Sequence, residues 1–377
     1  MRKKIDLVFF DAGGGHRSAA TALKQVTGQQ GRDWEIRLVN LQHVLASLDV
    51  FRKVTGIASE DVYNLVLRKG WTLGSPQLAR VMQALIRFYH QRQVELLQKY
   101  WRESRPDLLV SVIPNFNRAL FDSLKLASPG TSMVTIMTDM ADYPPHFWME
   151  RQPQFFICGT DKAVSQALAL GHERSRIFQT SGMILNPQFY EPIVQDRETE
   201  RRRLGLHPTL PTGLVLFGGH GSKAMLEIAR HLSKTNPAVQ LIMLCGHNQR
   251  LASKLRALKS RMQIHVEGFT REIPRFMHLA DFFIGKPGPG SLSEAMAMQL
   301  PVIIERNHWT MPQERYNAEW VREKGVGLVV RSFSEIESAA ASLLEPERYN
   351  ACRLAAERQH NRAVFEIPDI LQRILEA

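Results

Sequence analysis

The chain has 377 residues, 44% hydrophobic and 23% charged, which is too long for one hydrophobic core and too ordinary in composition for a fibrous or disordered protein. Its formal net charge of +11 favours an anionic partner, either a phosphorylated substrate or an acidic membrane surface. With no zinc-finger spacing and no aromatic-and-basic RNA signature, nucleic acid is not expected. Cys158, Cys245 and Cys352 form no C-x-x-C pair, which argues against a disulfide framework and a structural zinc site and fits a reducing cytoplasm.

Met1-Arg2-Lys3-Lys4 resembles the basic start of a signal peptide, but the apolar run behind it is short and interrupted by Asp6 and Asp11, so it reads as a first strand. No apolar run reaches the roughly 18 to 20 residues of a membrane span, and any membrane contact is expected to be peripheral. Short apolar runs at 5–10, 34–39, 107–113, 132–137 and 154–158 alternate with helical or polar stretches, the signature of a parallel sheet built from β-α-β units. A polar stretch over 195–207, with Arg201, Arg202 and Arg203 in a row, interrupts the pattern. It then restarts at 213–217, 239–245, 262–266, 281–284, 301–304 and 327–330. The boundary falls between residues 186 and 198, giving an N-terminal domain at 1–188 and a C-terminal domain at 189–377, with the last helix able to cross back to the first.

Between the second and third strands an insertion runs from about residue 41 to 105. Apolar residues at Leu78, Val81, Met82, Leu85, Ile86, Tyr89, Leu97 and Tyr100 predict a helix over 78–101, with Arg80, Arg87, Arg92 and Lys99 on its other positions. One reading is a core-packing stripe with a solvated basic face. The other is a surface for anionic lipid, with Trp71, Phe88 and Trp101 as interfacial anchors.

Ligands in doubly wound sheets bind beyond the carboxyl ends of the strands, and three loops there carry chemistry. The first is Phe10-Asp11-Ala12-Gly13-Gly14-Gly15-His16-Arg17-Ser18, opening a helix predicted at 18–23. Its glycines let backbone amides face a ligand, and His16 is placed to act as a general base. The plainer reading is a tight turn with an incidental histidine. The second loop fits G-x-G-x-x-A at Gly219, Gly221 and Ala224. A dehydrogenase would then need an acid at the end of the next strand, which instead runs Leu244-Cys245-Gly246-His247-Asn248 and so disfavours NAD. The third, Gly285-Lys286-Pro287-Gly288-Pro289-Gly290, leads into a helix predicted to begin at Ser291, with Glu294 completing a capping box. Glycines at a helix N-terminus make a diphosphate site, and Glu294 could instead accept both hydroxyls of a ribose.

The run from Phe283 to Met296, followed by Leu300-Pro301-Val302-Ile303-Ile304, resembles the donor-binding segment of the monogalactosyldiacylglycerol synthases. These group with the diacylglycerol glucosyltransferases and the peptidoglycan glycosyltransferase MurG. Asp11 to Arg17 resembles the family's N-terminal loop and Asp61-Val62-Tyr63-Asn64 its insertion. Pro106-Asp107 through Pro114, Thr138-Asp139, Gly246-His247-Asn248 and Pro312-Gln313-Glu314-Arg315-Tyr316-Asn317-Ala318 resemble its later segments, in order, over nearly the whole chain.

The resemblance implies an α/β protein of the GT-B fold, two Rossmann-like doubly wound domains facing across a cleft. It further implies inverting transfer of a hexose from UDP-galactose or UDP-glucose to a lipid acceptor such as diacylglycerol. Glu294 would hold the uridine ribose, Gly288, Pro289, Gly290 and Ser291 the diphosphate, and Gln313 and Glu314 the sugar. Gly268 and Phe269 would present backbone to uracil, with Gly219, Gly221, Gly246 and Asn248 in the remaining donor loops. His16, assisted by Asp139 or Asp142, would take the acceptor's proton, with Gly14, Gly15, His146 and Trp148 on the acceptor side. No metal or other cofactor is required by this design, and the D-x-D metal motif is absent from the sequence. The enzyme would sit peripherally on the anionic cytoplasmic face of a membrane. Around Trp148 the family's His-x-x-Trp-x-His pattern is broken by Pro145 and Glu150, with His146 one position out of register, and Asn307-His308-Trp309 is also unusual. Alternatives are transfer to a cell-wall polyprenyl-linked acceptor, UDP-N-acetylglucosamine 2-epimerisation, and a non-catalytic sugar-nucleotide sensor, which would not need His16.

Overall fold

The computed structural model describes residues 2–11, 14–45, 86–235 and 238–377. Expectations at Ala12, Gly13, Asp61 to Asn64, Trp71 and positions 78–85 lie outside these residues. The strands are β1 (Lys3–Phe9), β2 (Trp34–Asn40), β3 (Leu108–Ser111), β4 (Ser132–Ile136), β5 (Phe155–Cys158) and β6 (Ile177–Gln179), followed by β7 (Thr212–Leu216), β8 (Gln240–Leu244), β9 (Ile264–Glu267), β10 (Phe282–Gly285), β11 (Val302–Glu305) and β12 (Gly327–Val330). They form two six-stranded sheets, ordered β2-β1-β3-β4-β5-β6 and β12-β11-β10-β7-β8-β9, and every pairing is parallel. These are the two doubly wound Rossmann-like sheets that the alternating pattern predicts. Strand β6 was not foreseen, because only one of its three residues is buried and so it has no apolar run.

Helices in the first half are α1 (Gly15–Gln29), α2 (Leu41–Val44), α3 (His90–Ser104), α4 (Asn117–Ala127) and α5 (Asp161–Ala169). The second half holds α6 (Arg197–Arg203), α7 (Lys223–Thr235), α8 (Gln249–Arg256), α9 (Ile273–His278), α10 (Pro289–Ala297), α11 (Pro312–Lys324), α12 (Ile336–Leu343) and α13 (Pro346–Glu357). The chain closes with α14 (Ala363–Glu376). Among the described residues, one compact unit comprises residues up to Pro187 together with Asn361–Ala377, and the other comprises Gln188–His360.

Helix α14 packs Ala363, Ile367, Ile370, Leu371 and Ile374 into the cluster holding Ile5, Leu7 and Phe9 of β1 and Ala20 and Leu23 of α1. Asn361 Nδ2 donates to Met183 O at 2.8 Å, and Ser181 N donates to Glu366 Oε2 at 2.8 Å. The other face of the same sheet buries Leu97 and Trp101 of α3 against Val8, Leu109, Leu120 and Leu124. Trp101, one of the interfacial anchors considered above, is fully buried, and its indole N–H donates to Ser123 Oγ at 2.9 Å. It is a core residue because it falls on the buried stripe of α3 with Gln93, Val94 and Leu97. Phe88 is 79% exposed. Among the described residues no helix is long and apolar enough to cross a membrane.

The arginine row has a packing role that a polar stretch does not suggest. Residues 197–203 form α6, capped by Asp196, whose side chain accepts from Thr199 N. Arg201 is 4% exposed and donates to Leu279 O at 2.9 Å, Pro208 O at 2.9 Å and Asp281 Oδ2 at 2.7 Å. Asp281 also accepts from Arg197 at 2.8 Å and from Thr212 N at 2.7 Å. One carboxylate thus ties α6 to the start of β7, beside the start of β10. Removing it strands a buried guanidinium, and breaking a pair of this kind costs several kcal/mol. Asp281→Ala should therefore destabilise the C-terminal unit by about 3 kcal/mol, read as a lowered urea midpoint. Asp33→Ala, at the exposed Arg2–Asp33 pair, should leave the midpoint within error.

Candidate functional site

The order of each sheet reverses beside its first strand, at β1/β3 in one unit and at β7/β10 in the other. Loops leaving the carboxyl ends there gather into one place in each unit.

In the C-terminal unit β10 ends at Gly285, where a Cβ would meet Leu216 O at 2.6 Å. Only glycine allows that approach. Helix α10 begins at Pro289, two residues before the predicted start, with Gly288 as N-cap and no side-chain cap. The expected capping box is absent: Ser291 Oγ donates to Gly288 O at 3.3 Å. Proline fixes φ and lacks an N–H, so it suits the first helical position and moves the start forward. No acid lies in the first turn. The amides of that turn therefore have neither an intrahelical acceptor nor a capping side chain, and they carry the positive end of the helix dipole.

Glu294, one turn further on, is half-buried. Its carboxylate makes no hydrogen bond among the described residues, and burial pushes its pKa up to about 7. Glu314 opens α11, is 5% exposed, and accepts from Lys286 Nζ at 2.6 Å. Asn317 Nδ2 donates to Pro287 O at 2.7 Å, fastening the turn to α11. Gln313 neighbours this pair, its Nε2 lying 3.6 Å from Met311 Sδ.

The other C-terminal loops interlock. Gly246 has φ +56, and a Cβ on it would fall 2.1 Å from Gly219 O. His247 N donates to the same carbonyl at 2.8 Å. Gly221, at φ +58, packs so that a Cβ would meet Leu251 Cδ2 at 2.9 Å. Asn248 caps α8 by accepting from Leu251 N at 3.1 Å and donates to His220 O at 3.2 Å, so its side chain shapes the loops. Gly268 N donates to Glu267 Oε1 at 2.8 Å. Phe269 is 53% exposed, and its ring stacks on His247 at 4.1 Å.

In the N-terminal unit α1 begins at Gly15, three residues before the predicted start, behind Gly14 at φ +80. Gly14 allows this left-handed turn without the strain a Cβ would bring. His16 therefore stands in the first turn of an uncapped helix with no acid there. Its Nδ1 lies 3.1 Å from Thr138 Oγ1. Burial pushes its pKa down to about 4, opposed by a hydrogen bond with the Val112 backbone, so the imidazole is neutral near pH 7.

Asp139 accepts the Trp148 indole N–H at 2.8 Å, and the Trp148 and His16 ring centroids are 6.0 Å apart. Asp142 accepts from the backbone of His146 at 3.1 Å and of Trp148 at 2.7 Å. Burial raises its pKa against those bonds. Asp142 is thus spent on folding the 142–149 loop rather than on orienting His16. Trp148, expected on the acceptor side, is fully buried and meets both Asp139 and the His16 ring. His146 stays partly exposed, at φ +64. Sequence reading missed Thr138 as the partner of His16 and Lys286 as the partner of Glu314. Both stand inside segments already quoted, but nothing in their spacing names the partner. Among the described residues no group of three or more His, Cys, Asp or Glu is placed to hold a metal ion.

Residues 214–374 match the glycosyltransferase family 28 C-terminal domain. Over 97% of its length the chain is 28% identical to a protein of Glycine max named probable monogalactosyldiacylglycerol synthase, chloroplastic, of which it covers 70%. Among solved structures, MurG of Acinetobacter baumannii matches with TM-score 0.67 and 14% identity, over 98% of this chain and 99% of that one. A UDP-GlcNAc 2-epimerase of Neisseria meningitidis, bound to UDP-GlcNAc, matches with TM-score 0.62 and 14% identity, over 99% and 100%.

The two Rossmann-like sheets have the GT-B fold of these solved structures, and the second half of the chain carries a stretch similar to the glycosyltransferase family 28 C-terminal domain. The relatives matched along 97% of the chain are monogalactosyldiacylglycerol synthases, as the motif resemblance implied.

Proposed function

We propose that the protein is an inverting hexosyltransferase that takes a hexose from UDP-galactose or UDP-glucose and adds it to a lipid hydroxyl, with diacylglycerol as the acceptor. The observation that carries the donor half is the uncapped N-terminus of α10 followed one turn later by Glu294. Free amides and the helix dipole suit a diphosphate, and a carboxylate with no donor among the described residues suits the two hydroxyls of a ribose. Gln313 and Glu314 then receive the sugar, while Gly268 and Phe269 border the uracil. The names of the relatives favour galactose and diacylglycerol.

On the acceptor side neutral His16 accepts the proton of the attacking hydroxyl. The new bond forms at the anomeric carbon as its bond to the diphosphate breaks, and UDP leaves with the electron pair. Positive ends of backbone dipoles stabilise that charge without reorganising. Thr138 and the Val112 backbone fix the ring, and Asp139 acts on it through Trp148. The UDP-sugar is a co-substrate, and the reading uses no metal. The net charge of +11 suits peripheral attachment to the anionic cytoplasmic face of a membrane, each lysine or arginine near such a surface contributing about 1 kcal/mol.

The epimerase reading keeps a place because an epimerase shares the fold. Purified protein with UDP-glucose, UDP-galactose or UDP-N-acetylglucosamine, tested alone and against diacylglycerol and polyprenyl-linked acceptors, separates the readings. Hexosyl diacylglycerol is the expected product by mass, and conversion of UDP-N-acetylglucosamine without any acceptor would overturn the transferase. In the same assay His16→Ala should lose transfer by a factor on the order of 100 or more while binding UDP normally. Near-normal turnover would remove His16 from the mechanism.

Two further outcomes follow from the charges. Glu294 accepts ribose hydroxyls as the carboxylate, so UDP affinity should be full above pH 7 and fall below it. Relative to Glu294→Gln, which removes the titrating group, wild-type affinity should drop roughly tenfold from pH 8 to pH 6. A pH-independent ratio would separate Glu294 from the ribose. Binding to vesicles rich in acidic lipid should weaken steeply between about 0.05 and 0.5 M salt. Binding indifferent to salt would count against the charged surface.

A further inference from the structure

Lys286 has no part in the transfer as described so far, yet it stands at the centre of the donor side. Its ammonium donates to Glu314 Oε1 at 2.6 Å, with the lysine side chain 35% exposed and that of Glu314 7%. This is its bond among the described residues, and an ammonium has three donors. A Cβ built on Gly288, the N-cap of α10, would lie 3.4 Å from Lys286 Cε and 3.7 Å from Glu314 Oε1. The ion pair therefore lies against the residue that opens the phosphate-binding helix.

A cation is ordinarily out of place there. The N-terminus of a helix carries positive partial charge that favours anions, and no acid of the first turn of α10 offsets Lys286. Glu314 neutralises it in part from the first turn of α11. The pair thus joins two functions that the donor needs close together, a cation beside the diphosphate turn and a carboxylate for a neighbouring hydroxyl.

We propose that Lys286 contacts the substrate, binding the β-phosphate of a nucleoside diphosphate through its remaining donors while keeping Glu314 in place for the hydroxyls of the attached sugar. This rests on the UDP-sugar reading and adds a residue to it. No proton moves. As the anomeric carbon–oxygen bond breaks, its electron pair stays on the β-phosphate oxygen, and the ammonium meets one negative charge more than in the ground state. Its contribution is therefore larger in the transition state.

The test is calorimetric titration of wild type, Lys286→Met and Lys286→Arg with UDP and with UMP, which lacks the β-phosphate, together with the melting temperature of each protein without ligand. Lys286→Met should lose UDP affinity by roughly 10- to 100-fold and keep UMP affinity within about twofold, and Lys286→Arg should recover part of the loss. An unchanged UDP-to-UMP ratio in Lys286→Met, or an equal loss of both ligands, would overturn the inference and leave Lys286 as a brace for Glu314. If Lys286→Met does not fold, the same ratio in Lys286→Gln decides. Failure of the wild type to bind UDP would instead overturn the donor reading beneath it.

Discussion

A turn of backbone N–H groups with no side-chain cap among the described residues governs the loops at the carboxyl ends of the C-terminal sheet. Helix α10 starts at Pro289 without a side-chain cap and without an acid in its first turn. Its surroundings follow from holding that turn open. Gly285 lets β10 pass against Leu216 O, and Asn317 grips Pro287 O from α11. Lys286 and Glu314 pair beside Gly288. A conventional cap would stabilise α10 by about 1 kcal/mol and would occupy the amides that an anion needs.

The N-terminal unit repeats the device with different chemistry. Gly14 turns the chain through a left-handed conformation into α1, again uncapped and without an early acid. Here the first turn carries His16, and burial beside that positive helix end keeps the imidazole neutral. Asp142 and Trp148 are both buried, one folding the 142–149 loop and the other bridging Asp139 towards His16. Two parallel sheets thus set out two uncapped helices, one with a carboxylate a turn along and one with a neutral base in its first turn.

Much of this was legible in the chain. Apolar runs spaced by helical stretches foretold eleven of the strands, and the restart after residue 207 foretold two sheets. The glycine clusters marked the loops at the carboxyl ends. The helix starts were misplaced by two or three residues at Ser291 and Ser18. In both places a serine marks the local polar signal, whereas Pro289 and Gly14 set the dihedral angles that start the helix.

The sequence by itself determined the fold class, the loops that bear chemistry and the resemblance to glycolipid-forming transferases, because all of these are written in local period and in residues next to one another. Only the tertiary structure decided partners. Lys286 meets Glu314 across 28 positions, His16 meets Thr138 across 122, and Asn361 meets Met183 across 178. It also decided that Trp101 and Trp148 are buried and that Arg201 is a clamp rather than a solvated charge. Periodicity reports which face of an element is apolar. What covers that face, and which charge answers another, depends on how distant segments pack.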